Sequence, residues 1–346
     1  MKCVTPMLRI YNIDDPKSGK VISRQQAAQL LYADNNAIRK RLFSWWDDKW
    51  RWQKIPCKKC WACQLNYSAE WATRIMLEAK EHECNYWITL TYDDLHLPIA
   101  EEIKLPGVGT YTNDGTWEGT LYDKDMKKFI NSLRQKYHRL GHDGIKYFYC
   151  GEYGTQTQRP HYHIVLLNCP LDISQFYDCH IDANYKAHWK SKEVETYWKE
   201  GMIDICELEW SDAAYTARYC TKKLNMHSKE WYCERGKLPE YVQMSKGIGF
   251  KYLKEHINEI YNTDEIIMRT VKGNIGSAKP PKAFDRKMEE IDPEMLEIIK
   301  ESRKAAGERA EKLKQSLSDY TDLQQLNMEA EKVQKKMQML PRVGEW

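Results

Sequence analysis

Residues 164–167, Ile-Val-Leu-Leu, form an unbroken aliphatic run directly behind His161, Tyr162 and His163. Such a run, β-branched at its start and lacking helical spacing, reads as a strand apolar on both faces, near the centre of a sheet. Residues i and i+2 of a strand share a face, so His161 and His163 point the same way at one end of it, and Tyr162, Ile164 and Leu166 take the other face. One histidine there is most simply a hydrogen-bonded, partly buried side chain. Two on one face favour metal or catalytic use, because neutral imidazole is a common ligand and a shared ion relieves their crowding.

At 346 residues and 42% apolar, the chain can bury a full core as one large domain or two modest ones. A net charge of +3 and a pI of about 8.1 point only weakly to acidic partners, so any nucleic-acid contact must rest on local patches. Eleven cysteines are an odd number. The opening MKCVTPMLRI has no apolar signal core, and no later run is long enough to span a bilayer. The expectation is a chain kept reduced in a cytoplasm, with no membrane contact and with cysteines serving as thiols or metal ligands.

Along the chain, residues 23–42 read as a polar helix. The stretch SWWDDKWRW follows; its aromatics beside Lys49 and Arg51 could stack on single-stranded nucleic acid, but more often such a cluster fills a core. Residues 66–83 are a helix candidate through Trp71, Ile75 and Leu77, and YWITLTY (86–92) is a strand. LPGVGTYTNDGTWEG reads as loop and turn. Met126, Phe129, Ile130, Leu133 and Tyr137 make Asp123–Arg139 an amphipathic helix. IKYFYCGEYG, the histidine strand and GMIDICELE give further strands, and a helix is expected over 211–224 with Ser211 as N-cap. The pattern is α+β. From Pro280 the composition shifts to Glu, Lys, Arg, Met and Gln, interrupted at Pro293, which reads as a long solvated helical tail.

Tyr215 and Tyr219 in SDAAYTARYCTKKL are four apart and share a helix face, with Lys222 and Lys223 three and four residues on. Alone, the pair would be a packing stripe. A phenol with an ordinary pKa of about 10 is a poor nucleophile at neutral pH, and a lysine one turn on could favour its phenolate or bind a phosphate. Glu152, nine residues before His161 across a turn, can return beside the histidines. Two imidazoles and one carboxylate leave coordination positions open, which suits a catalytic divalent ion. Cys57, Cys60 and Cys63 form a C-x-x-C-x-x-C run, three of the four ligands a Zn²⁺ site wants. Cys150, Cys169, Cys206 and Cys220 read as small core residues.

WITLTY, GEYG, RPHYHIVLL and AAYTARYCTKK, in that order, resemble the replication initiators of the HUH endonuclease superfamily, HYH being the His-hydrophobic-His motif. The paired tyrosines followed by lysine are similar to initiators of the Microviridae, the small circular single-stranded-DNA phages. MKCVTP, IPCKKCWACQLNYSAEWATR and SKGIGFKYL resemble the gokushovirus branch. The resemblance spans roughly the first 250 residues. It implies an HUH endonuclease fold, a central antiparallel sheet of about five strands with flanking helices, over 66–265, after a cysteine- and tryptophan-rich segment (1–65) and before a charged helical tail (266–346).

The activity it implies is rolling-circle initiation: a metal-dependent nickase and strand-transferase that cuts one strand at the origin, forms a 5′-phosphotyrosine and rejoins the circle. His161, His163 and Glu152 would hold Mg²⁺ or Mn²⁺, Tyr215 and Tyr219 would be nucleophiles, and Lys222 the motif lysine. Cys3 is the preferred fourth zinc ligand on the same resemblance, with Cys84 or His82 behind it. Expected partners are single-stranded and supercoiled circular origin DNA, a host helicase and a host polymerase, in the cytoplasm of an infected bacterium. A relaxase or transposase of the same superfamily fits the paired tyrosines and the cysteine run less well. An alternative from another class is a non-catalytic single-stranded-DNA-binding protein with a structural zinc module, which leaves Tyr215, Tyr219 and Glu152 unexplained.

Overall fold

The computed structural model describes residues 3–22, a few positions between 26 and 44, 46–154, 156–222, 228–269, 275–317, 320 and 322–338. The chain divides into two compact units, one of residues 1–66 and 300–341, the other of 67–299 and 342–346. Among the described residues there are ten α-helices, none long and apolar enough to cross a membrane.

The first unit is built on strands β1 (Met7–Asn12), β2 (Asp15–Val21) and β3 (Trp50–Ile55), antiparallel in the order β2-β1-β3. β1 alternates, sending Leu8 and Ile10 into a core with Ile22, Leu30 and Trp46, against which Trp50 and Trp52 pack. The tryptophan-rich stretch therefore fills a small core. The helix expected over 23–42 lies largely outside the described residues.

The second unit holds β4 (Asn85–Thr91), the hairpin of β5 (Glu102–Leu105) and β6 (Gly109–Thr112), β7 (Lys146–Tyr153), β8 (Pro160–Leu167), β9 (Phe176–Ile181), β10 (Ala187–Ser191), β11 (Ile203–Glu207), β12 (Tyr241–Met244) and the hairpin of β13 (Ile266–Arg269) and β14 (Ile275–Ala278). Seven of these form one antiparallel sheet in the order β12-β7-β8-β4-β11-β10-β9. It is two strands wider than expected. The strands that sequence missed, β9, β10 and β12, lie toward its edges, where exposure and polar side chains erase the apolar signal. β5 and β6 run through a segment read as loop, because Ile103 is their one fully buried side chain.

β8 is buried on both faces, as its aliphatic run requires. On one face Tyr162, Ile164 and Leu166 pack with Ile88, Leu90 and the helix Asp123–Arg139, which buries Met126, Phe129, Ile130, Leu133 and Tyr137. On the other face Val165 and Leu167 meet Trp87, Phe148 and Cys150, together with Ala72 and Ile75 of the helix Trp61–Ala79 and Ala213, Tyr215 and Ala217 of the helix Trp210–Lys222. That tyrosine helix begins one residue before Ser211, so Ser211 is not its N-cap. Instead Asp212 reaches back to accept the Glu209 N–H at 2.8 Å.

The start of the charged segment is not a solvated tail. Phe284, Met288, Leu296 and Ile299 are buried with Leu77, Leu253 and Ile260. Their three- and four-residue spacing gives the helices Lys282–Ile291 and Pro293–Ser316 an apolar stripe hidden by the charged composition, and Pro293 opens the second helix rather than breaking one.

Candidate active site

The β7–β8 and β8–β4 pairings set the site. Glu152 stands opposite His161 and Cys150 opposite His163 on one side; Thr91 and Thr89 stand opposite the same two histidines on the other. Paired residues share a face, so Glu152, His161, His163 and Thr89 all project toward the tyrosine helix. Each of Glu152, His161 and His163 offers a ligand atom within 4.8 Å of the other two. Glu152 Oε1 lies 2.7 Å from His163 Nε2 and 3.2 Å from His161 Nε2.

The surroundings orient both rings. His161 Nδ1 is 3.1 Å from the Arg159 carbonyl, which can only accept, so this nitrogen carries the proton and Nε2 keeps its lone pair when the ring is neutral. His163 Nδ1 shares a 3.0 Å hydrogen bond with Thr89 Oγ1, and its ring stacks on Trp87 at 4.8 Å and 7°. Trp87 Nε1–H in turn donates to Thr216 of the tyrosine helix. Glu152 Oε1 is buried with no hydrogen-bond partner despite its nearness to both imidazoles. Ring nitrogens and an unbonded carboxylate oxygen converging on one point fit a divalent cation, since an orphaned buried carboxylate oxygen otherwise costs free energy. Burial disfavours the Glu152 carboxylate, but the charge and proximity of His163 and His161 prevail and hold its pKa down to about 2. Burial pushes His163 downward against the pull of Glu152.

Tyr215 is 6% exposed and meets this cluster edge-on, its ring 5.2 Å from that of His163 and 6.0 Å from Trp87. The Arg218 guanidinium lies 5.5 Å from the Tyr215 ring. Tyr219 and Lys222 fall on the last turns of the same helix, but their side chains, that of Cys220 and residues 223–227 lie outside the described residues. Sequence reading overlooked Thr89 and Trp87. The alternation Trp87-Thr89-Thr91 in WITLTY was their signal, legible only once β4 is paired in register with β8.

In the first unit, Cys3, Cys57, Cys60 and Cys63 gather within 4.8 Å of one another. Cys3 and Cys60 Sγ are 3.6 Å apart, Cys57 and Cys63 Sγ 3.9 Å. Sulfurs about 2.3 Å from one tetrahedral Zn²⁺ sit about 3.8 Å from each other, whereas a disulfide is about 2 Å. The chain turns through Lys58 at φ +61°. That turn aims the N–H groups of Lys59 and Cys60 at Cys57 Sγ (3.4 and 3.2 Å), with the Thr5 hydroxyl at 3.2 Å. Burial opposes a thiolate at Cys57, but these donors bring its pKa down to about 6. Of the fourth ligands weighed, the fold brings Cys3 to the run, while His82 lies 3.2 Å from Glu78.

Residues 85–224, which carry Thr89, Glu152, both histidines and the tyrosine helix, match the family model for replication-associated protein ORF2/gene II protein. Replication-associated protein ORF2 of Spiroplasma virus 4 is 40% identical over 274 residues, covering 78% of this chain and 79% of that protein. The chain belongs to this ORF2 family of replication-associated proteins. Two further phage relatives of the family are more distant. Replication-associated protein VP4 of Bdellovibrio phage phiMH2K is 31% identical over 175 residues, 49% of each chain. Replication-associated protein ORF4 of Chlamydia phage 1 is 24% identical over 216 residues, 62% of this chain and 49% of that one. These ORF2-family relatives come from Microviridae, in accord with the gokushovirus-like motifs. No solved structure matches the chain.

Proposed function

We propose that this ORF2-family protein initiates rolling-circle replication as a tyrosine-dependent nickase and strand-transferase of the HUH type, acting on circular origin DNA inside the infected bacterium. The observation that carries the reading is the buried Glu152 oxygen facing two Nε2 atoms with no hydrogen bond of its own, beside Tyr215. Glu152, His161 and His163 would hold a divalent ion, which supplies polarisation of the scissile phosphate. Two imidazoles in the set favour Mn²⁺ over the oxygen-preferring Mg²⁺.

The chain's own groups divide the remaining work. Arg159 O and Thr89 fix the ring orientations, and Trp87 ties His163 to the tyrosine helix. A tyrosine oxygen bonds to phosphorus as the P–O3′ bond breaks. The 5′ end is then held on the protein, the leaving oxygen becomes a 3′-hydroxyl, and no proton is consumed overall. Tyr215 and Tyr219, one helical turn apart, could alternate, one holding the first cut end while the other cuts the regenerated origin. Lys222 is assigned to phosphate or phenolate. A host polymerase would extend the 3′-hydroxyl and a host helicase open the duplex. Cys3, Cys57, Cys60 and Cys63 are assigned a structural Zn²⁺.

The test incubates the full chain with a labelled single-stranded origin oligonucleotide and Mn²⁺ and resolves covalent adducts on denaturing gels for wild type, Tyr215→Phe, Tyr219→Phe and the double variant. We expect an adduct that EDTA abolishes and the double variant cannot form. DNA binding without any adduct on the cognate origin would leave a binding protein with a zinc module.

A further inference from the structure

A second group of ligand-type side chains crosses the outer strands of the same sheet. His180 on β9 pairs directly with His188 on β10, and His188 stands opposite Cys206 on β11. Asp204 lies two residues before Cys206 and so shares its face. His180, His188 and Asp204 each offer a ligand atom within 4.8 Å of the other two. His188 Nδ1 is 2.6 Å from Asp204 Oδ2, His180 Nε2 is 3.9 Å from Asp204 Oδ1, and the two imidazoles stack at 5.2 Å and 25°.

His188 is 5% exposed, and its Nε2 is buried with no hydrogen-bond partner, 3.8 Å from Asp182 Oδ2. An imidazole whose Nδ1 is engaged by a carboxylate carries its lone pair on Nε2, the arrangement that a carboxylate imposes on a metal-bound histidine. The local architecture also lacks another clamp. Five of the six β9 residues are exposed, Phe176 is its one apolar anchor, and the strand forms the sheet's free edge. An ion bridging β9, β10 and β11 would pin that edge.

We infer that His180, His188 and Asp204, with Asp182 at hand, form a second divalent transition-metal site, distinct from the Glu152 cluster and independent of the nickase reading. Donor atoms up to 4.8 Å apart need only a small contraction around an ion with bonds of about 2 Å. Two imidazoles with carboxylate select Zn²⁺ or its late first-row neighbours over Mg²⁺. Three protein ligands leave a coordination position open on the His180 side, where the ring is half exposed.

The test is equilibrium dialysis of the metal-stripped full chain against micromolar Zn²⁺, comparing wild type with His180→Ala and Asp204→Asn, alongside Co²⁺ absorbance. His180 is on an exposed edge, so its truncation leaves folding intact, which circular dichroism checks. We expect each variant to bind one Zn²⁺ fewer per chain and to lose a nitrogen- and oxygen-type Co²⁺ band, while the thiolate-to-Co²⁺ band persists. Equal stoichiometry in all three proteins, or binding at this site only at millimolar metal, would overturn the site and leave His188 as an imidazolium held between Asp204 and Asp182.

Discussion

Thr89 acts on the candidate site without reaching it. Its hydroxyl shares the 3.0 Å bond with His163 Nδ1 and thereby fixes which nitrogen faces Glu152. Thr89→Val keeps the shape and removes the partner. On the Proposed function, Mn²⁺ affinity should fall roughly 10- to 100-fold, so adduct formation drops at limiting Mn²⁺ and recovers when the ion is in excess; a metal titration of both proteins checks it. Unchanged affinity would reduce Thr89 to packing. Glu78 poses a stability question instead. It is buried against Lys146 Nζ at 2.7 Å, the Gly249 N–H at 2.7 Å and His82 at 3.2 Å. Burial raises its pKa, but these three partners outweigh it and hold the carboxyl below the ordinary 4.5. The folded value lies below the unfolded one, so the stabilisation is complete above about pH 4.5 and is lost as pH falls through the folded value. Glu78→Gln should therefore cost roughly 3 kcal/mol at neutral pH by stranding Lys146, and flatten the loss of stability below pH 4.5. Urea midpoints from pH 3 to 7 (about the carboxylate range) would show both effects.

At the scale of elements, legibility followed burial. β8 was readable because an aliphatic run names a central strand and the i, i+2 rule then aims both histidines. The helix Asp123–Arg139 was readable because its five buried residues carry helical spacing. β9, exposed at five of six positions, carries no such pattern, and neither does the β5–β6 hairpin. SKGIGF was legible as a motif but not as a reason. Its Gly249 sits at φ +80°, caps the helix Phe250–Glu255 and sends its N–H to Glu78, and a Cβ there would stand 3.0 Å from the Arg74 carbonyl oxygen. Gly247, at φ +73°, has its nearest atom at 3.9 Å. Gly249→Ala should therefore destabilise by about 2 kcal/mol or more, combining left-handed strain with a backbone contact, and Gly247→Ala by only about 1 kcal/mol from strain alone. Denaturant unfolding of the pair checks the ranking; equal losses would mean the Arg74 contact relaxes freely.

Over the whole molecule, the two candidate metal centres that the sequence announced belong to different compact units, the cysteine cluster to the first and the Glu152 cluster to the second. The two were unequally legible for a physical reason. Cys57, Cys60 and Cys63 announce themselves by spacing, yet Cys3 joins them across 54 residues of chain from Cys57, a closure that no local pattern encodes. The closure suggests how stability is organised. The first unit's own core rests on few side chains, Leu8, Ile10, Ile22, Ala27, Leu30 and Trp46, and an ion binding four thiolates that only the folded chain assembles adds its binding free energy to folding. In a Glu152→Gln background, which disables the other ligand set, a zinc chelator should lower the thermal midpoint by several degrees, and Cys60→Ser should start from the lowered midpoint and show no further response. Cysteines that are merely reduced core thiols require the opposite: no chelator effect in the Glu152→Gln protein, and no thiolate-to-Co²⁺ band for Cys60→Ser to remove.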